Sequence, residues 1–225
     1  MCVRVLQMKM PQWNATRPLV PSLSVVDDAK EKDHYWRALM KLWRIHGKRA
    51  DSAAFFPGCH PRSLSRETLP LLKEHPYRVA YKSDGVRYIL FLTLRIYTHR
   101  EDGKAIALMI DRARNMYEVE VVAPDTFFTE GTVLEGELVR AMQDSQMHFL
   151  VFDALCVRGD TLRNLPFDKR LQAASECVKW SEEISQSEDP EAHAAEHDAV
   201  SMVHYNPRII LGAKTFTSIS CAVAL

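Results

Sequence analysis

Tyr81-Lys82-Ser83-Asp84-Gly85-Val86-Arg87 is a polar stretch set between two apolar runs, Tyr77-Arg78-Val79-Ala80 and Tyr88-Ile89-Leu90-Phe91-Leu92-Thr93-Leu94. Both runs are rich in β-branched and aromatic residues, which predicts strands, and Asp84-Gly85 is turn chemistry between them. A single lysine is thereby presented from a strand–turn–strand support, the fixed placement that catalysis needs. A lysine becomes a nucleophile once its ammonium sheds a proton, and desolvation or a nearby cation such as Arg87 promotes that loss. Gly85 has no Cβ and lets backbone come close to a ligand, while Arg87 offers a planar fork of donors for phosphate or ribose oxygens. An ordinary surface hairpin would look the same over so short a stretch, so the rest of the chain has to decide.

Outward from this centre, apolar alternation predicts strands at about residues 77–81, 86–94, 105–110, 116–122, 132–139 and 147–155. Glu101-Asp102-Gly103 and Arg112-Ala113-Arg114-Asn115 punctuate hairpins. A helix is predicted from a cap at Asp27 or Asp28 to about His46, stopped by Gly47. Its Tyr35, Leu39, Leu42 and Trp43 fall at helical spacing, Trp36 and Met40 widen the stripe, and the helix should pack on the main domain. Residues 63–74 read as a short helix capped by Ser63 or Ser65 and made irregular by Pro70. Pro166-Phe167-Asp168 opens another helix to about Trp180, with Leu171, Ala174 and Val178 on one face. Residues 1–25 carry Pro11, Pro18 and Pro21 and read as an irregular arm, residues 181–198 as an acidic solvated loop, and residues 208–219 as one more strand-like segment. The expected organisation is an arm and helix over residues 1–50 and a main domain over 51–225.

The 225 residues suffice for one domain or little more. Apolar residues at 47% and charged residues at 26% are ordinary for a soluble globular chain. Twenty-nine basic residues balance twenty-nine acidic ones, so contact with nucleic acid would need a local patch rather than a global charge. Cys2, Cys59, Cys156, Cys177 and Cys221 form no Cys-x-x-Cys pair, which argues against a zinc site or disulfide framework and suits a reducing compartment. No run approaches the ~18 apolar residues of a membrane-spanning helix, and the N-terminal stretch is too short for a secretory signal, so an intracellular protein is expected. His193-Ala194-Ala195-Glu196-His197 fits a His-x-x-Glu-His zinc pattern, but it sits in a polar tract with no apolar helix face, and chance composition accounts for it better.

Glu135 and Glu137 sit two apart in a predicted strand and therefore share a face. Burying unpaired charge is costly, so a ligand- or metal-facing role is expected for at least Glu137. The metal ligand stays open between Glu135 and Glu137.

Lys82-x-Asp84-Gly85-x-Arg87 resembles the nucleotidyl-lysine motif of covalent nucleotidyltransferases, the group of mRNA capping guanylyltransferases and ATP- and NAD-dependent polynucleotide ligases. Phe56-Pro57-Gly58-Cys59-His60-Pro61-Arg62-Ser63 is similar to the Phe-Pro-Gly-x-Gln-Pro-x-Ser stretch of the capping enzymes. Ile110-Asp111-Arg112 with Tyr117-Glu118-Val119, Leu134-Glu135-Gly136-Glu137-Leu138-Val139 and Phe149-Leu150-Val151-Phe152-Asp153-Ala154-Leu155 resemble their following motifs in order, and Arg170-Leu171 and Lys214-Thr215-Phe216 continue the series. The resemblance covers about residues 55–219.

It implies an α+β nucleotidyltransferase fold of the ligase and capping-enzyme kind, with twisted, mainly antiparallel sheets, helices outside and a nucleotide groove between. It also implies mRNA 5′ capping through GMP transfer, with Lys82 forming a covalent lysyl-GMP from GTP and passing it to the 5′-diphosphate end of RNA. Arg87 and Glu137 would meet ribose hydroxyls, Arg112 ribose or phosphate oxygens, Phe152 the guanine face and Lys214 a guanine acceptor. Magnesium or manganese would accompany the triphosphate. An RNA triphosphatase or cap methyltransferase would be a partner, since no phosphatase-like cysteine or P-loop precedes the core, and capping in a nucleated cell implies the nucleus.

His60 stands where the pattern has Gln, and Glu135 where it has Asp. The family's later strand motif, its Lys-x-Lys motif and its C-terminal oligonucleotide-binding barrel do not follow Lys214-Thr215-Phe216. The expectation is therefore that this chain alone guanylylates weakly or not at all and that its exposed sheet edges make it associate. Two other readings stand beside the first: an ATP-dependent polynucleotide ligase-like enzyme, and a catalytically inactive truncated relative serving as a binding subunit.

Overall fold

A computed structural model describes residues 24–47, 55–58, 63–95, 103–140, 146–186, 200–201 and 209–218. The α+β class holds, with a mainly antiparallel sheet as its frame. Strand β3 (Val86–Leu94) lies at the middle of that sheet, because its apolar run has to be covered on both faces. Its two edges are taken by β4 (Ala105–Ile110) and β7 (Thr132–Arg140), both antiparallel. Beyond β4 come β5 (Met116–Val119) and β1 (Ser24–Val25), and beyond β7 come β8 (Met147–Val157) and β11 (Ile209–Ala213), the last pairing parallel to β8. A short β9 (Asp160–Thr161) folds back on β8.

Side-chain alternation along β3 sorts two cores. Tyr88, Leu90 and Leu92 join Met109, Leu134, Phe149 and, from helix α4 (Phe167–Gln186), Ala174, Cys177 and Val178. Ile89 and Phe91 join Ile106, Leu108, Val133 and, from helix α1 (Ala29–Leu42), Tyr35, Trp36, Leu39 and Met40. One sheet face is thus closed by α1, which packs on the main sheet as its apolar stripe required, and the other by α4 together with Phe127 and Phe128.

Helix α1 begins as expected, with Asp28 Oδ1 accepting from the N–H groups of Lys30 at 2.9 Å and Glu31 at 2.8 Å. It ends at Leu42 rather than about His46. Arg44 takes the left-handed conformation at φ 51°, and the Ile45 N–H donates back to Met40 at 2.9 Å, so the closure that Gly47 was expected to provide comes earlier. Of residues 63–74, only α2 (Leu71–Glu74) is helical; a turn precedes it in which the Ser65 N–H donates to Thr68 Oγ1 at 2.9 Å. The expected strand over 116–122 stops at Val119, and Ala123–Pro124 forms a separate β6 paired with β10 (Val200–Ser201). A helix not foreseen, α3 (Asp125–Thr129), buries Phe127 and Phe128. Helix α4 runs past Trp180 into the expected loop because Ser181 is buried and its hydroxyl donates to Val122 O at 2.8 Å. Ser24 and Val25, read as arm, form β1, and β8 extends past 155 to Val157.

The largest correction concerns the centre. Strand β2 (Arg78–Val79) forms no hairpin with β3, whose edges are already filled; it pairs with β12 (Thr217–Ser218) in a small sheet of its own. Arg78 reaches Asp168 through two 3.1 Å hydrogen bonds, and Phe216 meets Phe167 edge to face at 5.4 Å, so this small sheet docks on the start of α4. The zinc-like stretch at 193–197, the Glu101-Asp102 turn and Cys2, Cys59 and Cys221 lie outside the described residues. Among the described residues no helix is long and apolar enough to cross a membrane.

Two outcomes are expected. Leu39→Ala, at a position with 0% exposure between α1 and the sheet, should lower the unfolding free energy by about 2–5 kcal/mol in urea titration. A change under about 1 kcal/mol would mean α1 is peripheral. Burial pushes the Tyr88 phenol up to about 12, aided by charge at Tyr117 and Asp111. The folded state holds that proton more tightly than an unfolded tyrosine, whose pKa is about 10. Its stabilisation is therefore complete below about pH 10 and lost as pH rises toward 12. Stability measured across this alkaline window should fall, and Tyr88→Phe should flatten the fall.

Candidate active site

Lys82 lies half-buried in the crossover from the small sheet to β3, and its Nζ donates to Ser83 O at 3.4 Å. The crossover is clamped to β7 by one carboxylate. Glu137 accepts from the Ser83 hydroxyl at 2.6 Å on Oε2 and from the Gly85 N–H at 3.2 Å on Oε1. A Cβ at Gly85 would run into Leu138 O and stand 2.8 Å from Glu137 Cγ. Gly85 therefore permits a close approach to β7. Lys214 enters from the connection between β11 and β12, its own N–H held by Val151 O at 2.9 Å. Its Nζ donates to Ser83 Oγ at 2.8 Å and pairs with Glu137 Oε2 at 3.0 Å.

Arg87 faces the same side of the sheet and pairs with Glu135, which is fully buried. The guanidinium lies 5.9 Å from the Phe56 ring centre and 5.7 Å from that of Phe152, within cation–π reach of both. Gly58 sits against this pair at φ 141°, and a Cβ there would stand 2.6 Å from Glu135 Oε1. Phe152 joins neither apolar core. The β7–β8 register shifts between Glu135↔Asp153 and Gly136↔Val151, leaving Phe152 as the extra residue of a bulge, and bulges re-aim side chains. Its half-buried ring lies 6.0 Å from Lys214 Nζ, outside both cores.

Asp153 lies inside β8, buried, and accepts from Arg170 Nε at 2.8 Å and Nη2 at 2.9 Å. The pair fixes α4 to the strand that bears Phe152.

Lys82, Arg87, Glu135, Glu137, Phe152 and Lys214 thus come together, with Glu135 and Glu137 facing the site from one strand face. Arg112 does not join them; it is exposed in the turn between β4 and β5. In that turn Asp111 accepts from Asn115, and the Arg114 guanidinium lies 4.1 Å from the Trp36 ring centre and donates to Phe55 O at 3.2 Å. Two features escaped the sequence: the bridging hydroxyl of Ser83 and the Asp153–Arg170 pair. The second had a signal, since a carboxylate inside an apolar strand demands a buried cation. Among the described residues no three His, Cys, Asp or Glu side chains gather as a metal site. The arrangement offers an amine, two cations able to bind an anion and an aromatic face.

Removing Arg87 takes its cation from a carboxylate with 0% exposure. Arg87→Ala should cost about 3–5 kcal/mol of stability by urea titration, as breaking one half of a buried ion pair does. An unchanged midpoint would show that Glu135 takes another partner.

Residues 16–214 match the family model of the mRNA capping enzyme catalytic domain. The mRNA-capping enzyme subunit alpha of Neurospora crassa is 36% identical over 141 residues, covering 57% of this chain and 33% of the relative. The same subunit of Schizosaccharomyces pombe is 34% identical over 126 residues, covering 52% and 31%. The mRNA-capping enzyme of Caenorhabditis elegans is 28% identical over 126 residues, covering 52% and 19%. The chain spans about a third or less of the length of these relatives. Because the match runs from ahead of α1 through Lys214, taking in every residue of the network around Lys82, the chain belongs to the mRNA capping enzyme catalytic domain family.

Proposed function

We propose that the chain carries the guanylyl-transfer chemistry of mRNA 5′ capping. Lys82 Nζ, as the free amine, attacks the α-phosphorus of GTP. A P–N bond forms, the bond from the α-phosphorus to the bridging oxygen breaks, pyrophosphate leaves and the nitrogen loses a proton to solvent. A terminal oxygen of a 5′-diphosphate RNA then attacks the same phosphorus, a P–O bond replaces the P–N bond, and Lys82 regains its proton. The observation that carries this reading is the hydrogen-bonded joining of the Lys82 loop to Glu137 and Lys214, with Arg87 and Phe152 bordering the same space.

On this reading Arg87 and Glu137 take the ribose hydroxyls, Phe152 stacks on guanine and Lys214 turns to a guanine acceptor. Arg112, exposed in the turn between β4 and β5, reaches ribose or phosphate oxygens on this reading. Both Glu135 and Glu137 are already matched by Arg87 and Lys214, so the described residues build no metal cage. Magnesium or manganese enters with the triphosphate, as metal–GTP substrate, in keeping with the preference of magnesium for phosphate oxygens and water. We read the fold as a nucleotidyltransferase fold, with the nucleotide-binding domain over residues 51–225 and the arm and covering helix over 1–50. Relatives named alpha subunits support a partner subunit, with an RNA triphosphatase and a cap methyltransferase completing the cap in the nucleus. Capping-enzyme names among the relatives favour GTP over the ATP of a ligase.

The test is to incubate the chain, and any longer natural product containing it, with α-labelled GTP or ATP and magnesium, then denature and look for label on protein. Label from GTP alone, lost in Lys82→Ala, is expected. Label from ATP would move the assignment to a ligase, and no label from either would leave a binding relative.

A further inference from the structure

Ser83 has no role in the chemistry above, yet its hydroxyl is where three distant segments meet. It donates to Glu137 Oε2 at 2.6 Å and accepts from Lys214 Nζ at 2.8 Å, one hydroxyl satisfying an anion and a cation at once. The short O–H···O⁻ contact is in the range of charge-assisted bonds. Its own carbonyl is the acceptor on which the Lys82 ammonium rests, at 3.4 Å. The geometry extends further. Val79 pairs with Thr217, and Lys82 and Lys214 lie equally far beyond that pair, so continuing the ladder would set the two lysines opposite each other with Ser83 at its end.

We propose that Ser83 is a positioning residue for the Lys82 nucleophile, its hydroxyl tying the lysine's peptide to Glu137 and Lys214. This rests on the reading of Lys82 as the attacking amine. Lys214 and Glu137 pair directly at 3.0 Å, so that bond survives loss of the hydroxyl. What the loop loses is its stronger hold, leaving the Gly85 N–H on Oε1 at 3.2 Å. The change therefore falls on the placement of Lys82 more than on the surrounding pocket, and misplacement of a reacting atom by about 1 Å can cost about 100-fold in rate.

Ser83→Ala and Ser83→Thr test this with two readouts. Single-turnover lysyl-GMP formation at saturating GTP should fall about 10- to 100-fold in Ser83→Ala, with the half-saturating GTP concentration and the thermal melt unchanged. Ser83→Thr, which keeps the hydroxyl, should restore the rate. Separately and without nucleotide, competitive acylation with acetic anhydride should show the reactivity of Lys82, relative to exposed Lys41 and Lys73, changed several-fold in Ser83→Ala and native in Ser83→Thr. Native rates and ratios in Ser83→Ala, or failure of Ser83→Thr to rescue them, would overturn the proposal. A native chain that takes no label from GTP would sink the guanylyltransferase reading alone, and the acylation ratios would still decide the role of Ser83.

Discussion

Two carboxylates buried on neighbouring strands set the terms for this fold. Glu135 and Asp153 are register partners on β7 and β8, at 0% and 2% exposure. Unpaired, they would repel each other across the strand pair, and burying either charge alone in an apolar sheet would be costly. Each is answered by an arginine from a different element: Arg87 from β3 and Arg170 from α4. These pairs fix more than charge. Arg170 seats the helix that closes one sheet face, and Arg87 is drawn between two aromatic rings on the other. Such pairs contribute little net stability over apolar packing, but losing one half is expensive, so they specify this arrangement over others.

The site inherits that arrangement. The bulge beside the carboxylates turns Phe152 out of the core, and the alternation of β7 brings Glu137 to the side on which Glu135 meets Arg87. Glu137 then clamps the loop that holds Lys82, and Lys214 closes the circuit. Among the described residues, Arg87 and Lys214, the cations bordering the amine, are each matched by a protein carboxylate. On the proposed guanylyl-transfer chemistry, an entering nucleotide exchanges partners with Glu135 and Glu137 rather than filling vacant charge. Binding energy is drawn into rearranging the network, which ties recognition of the nucleotide to alignment of the nucleophile.

The sequence was most informative where local chemistry decides. The bounds of β4 and the heart of β3 follow from apolar pattern alone, and Asp28 caps α1 as its side chain dictates. The resemblance named Lys82, Arg87, Glu137, Phe152 and Lys214, which do come together, and Arg112, which stands apart. What could not be read depends on tertiary partners. Strand β2 looked like half of a hairpin because nothing local shows that both edges of β3 are occupied. Arg44 closes α1 in a conformation usually given to glycine. Ser181 prolongs α4 for the sake of a carbonyl 59 positions away. The close packing of Gly85 on β7 is likewise a tertiary contact that no local pattern shows.

The contact between Lys214 and Ser83 joins residues 131 apart in sequence. Closing so long a loop carries an entropic penalty and comes late in folding, after the nearer strands of β3, β4 and β7 have paired. On a ribosome the Lys82 loop emerges well before its last partner has been synthesised. On the proposed chemistry, nascent chains thus hold the Lys82 nucleophile without the residue that completes its surroundings, so translation itself delays competence until β11 and the Lys214 connection arrive.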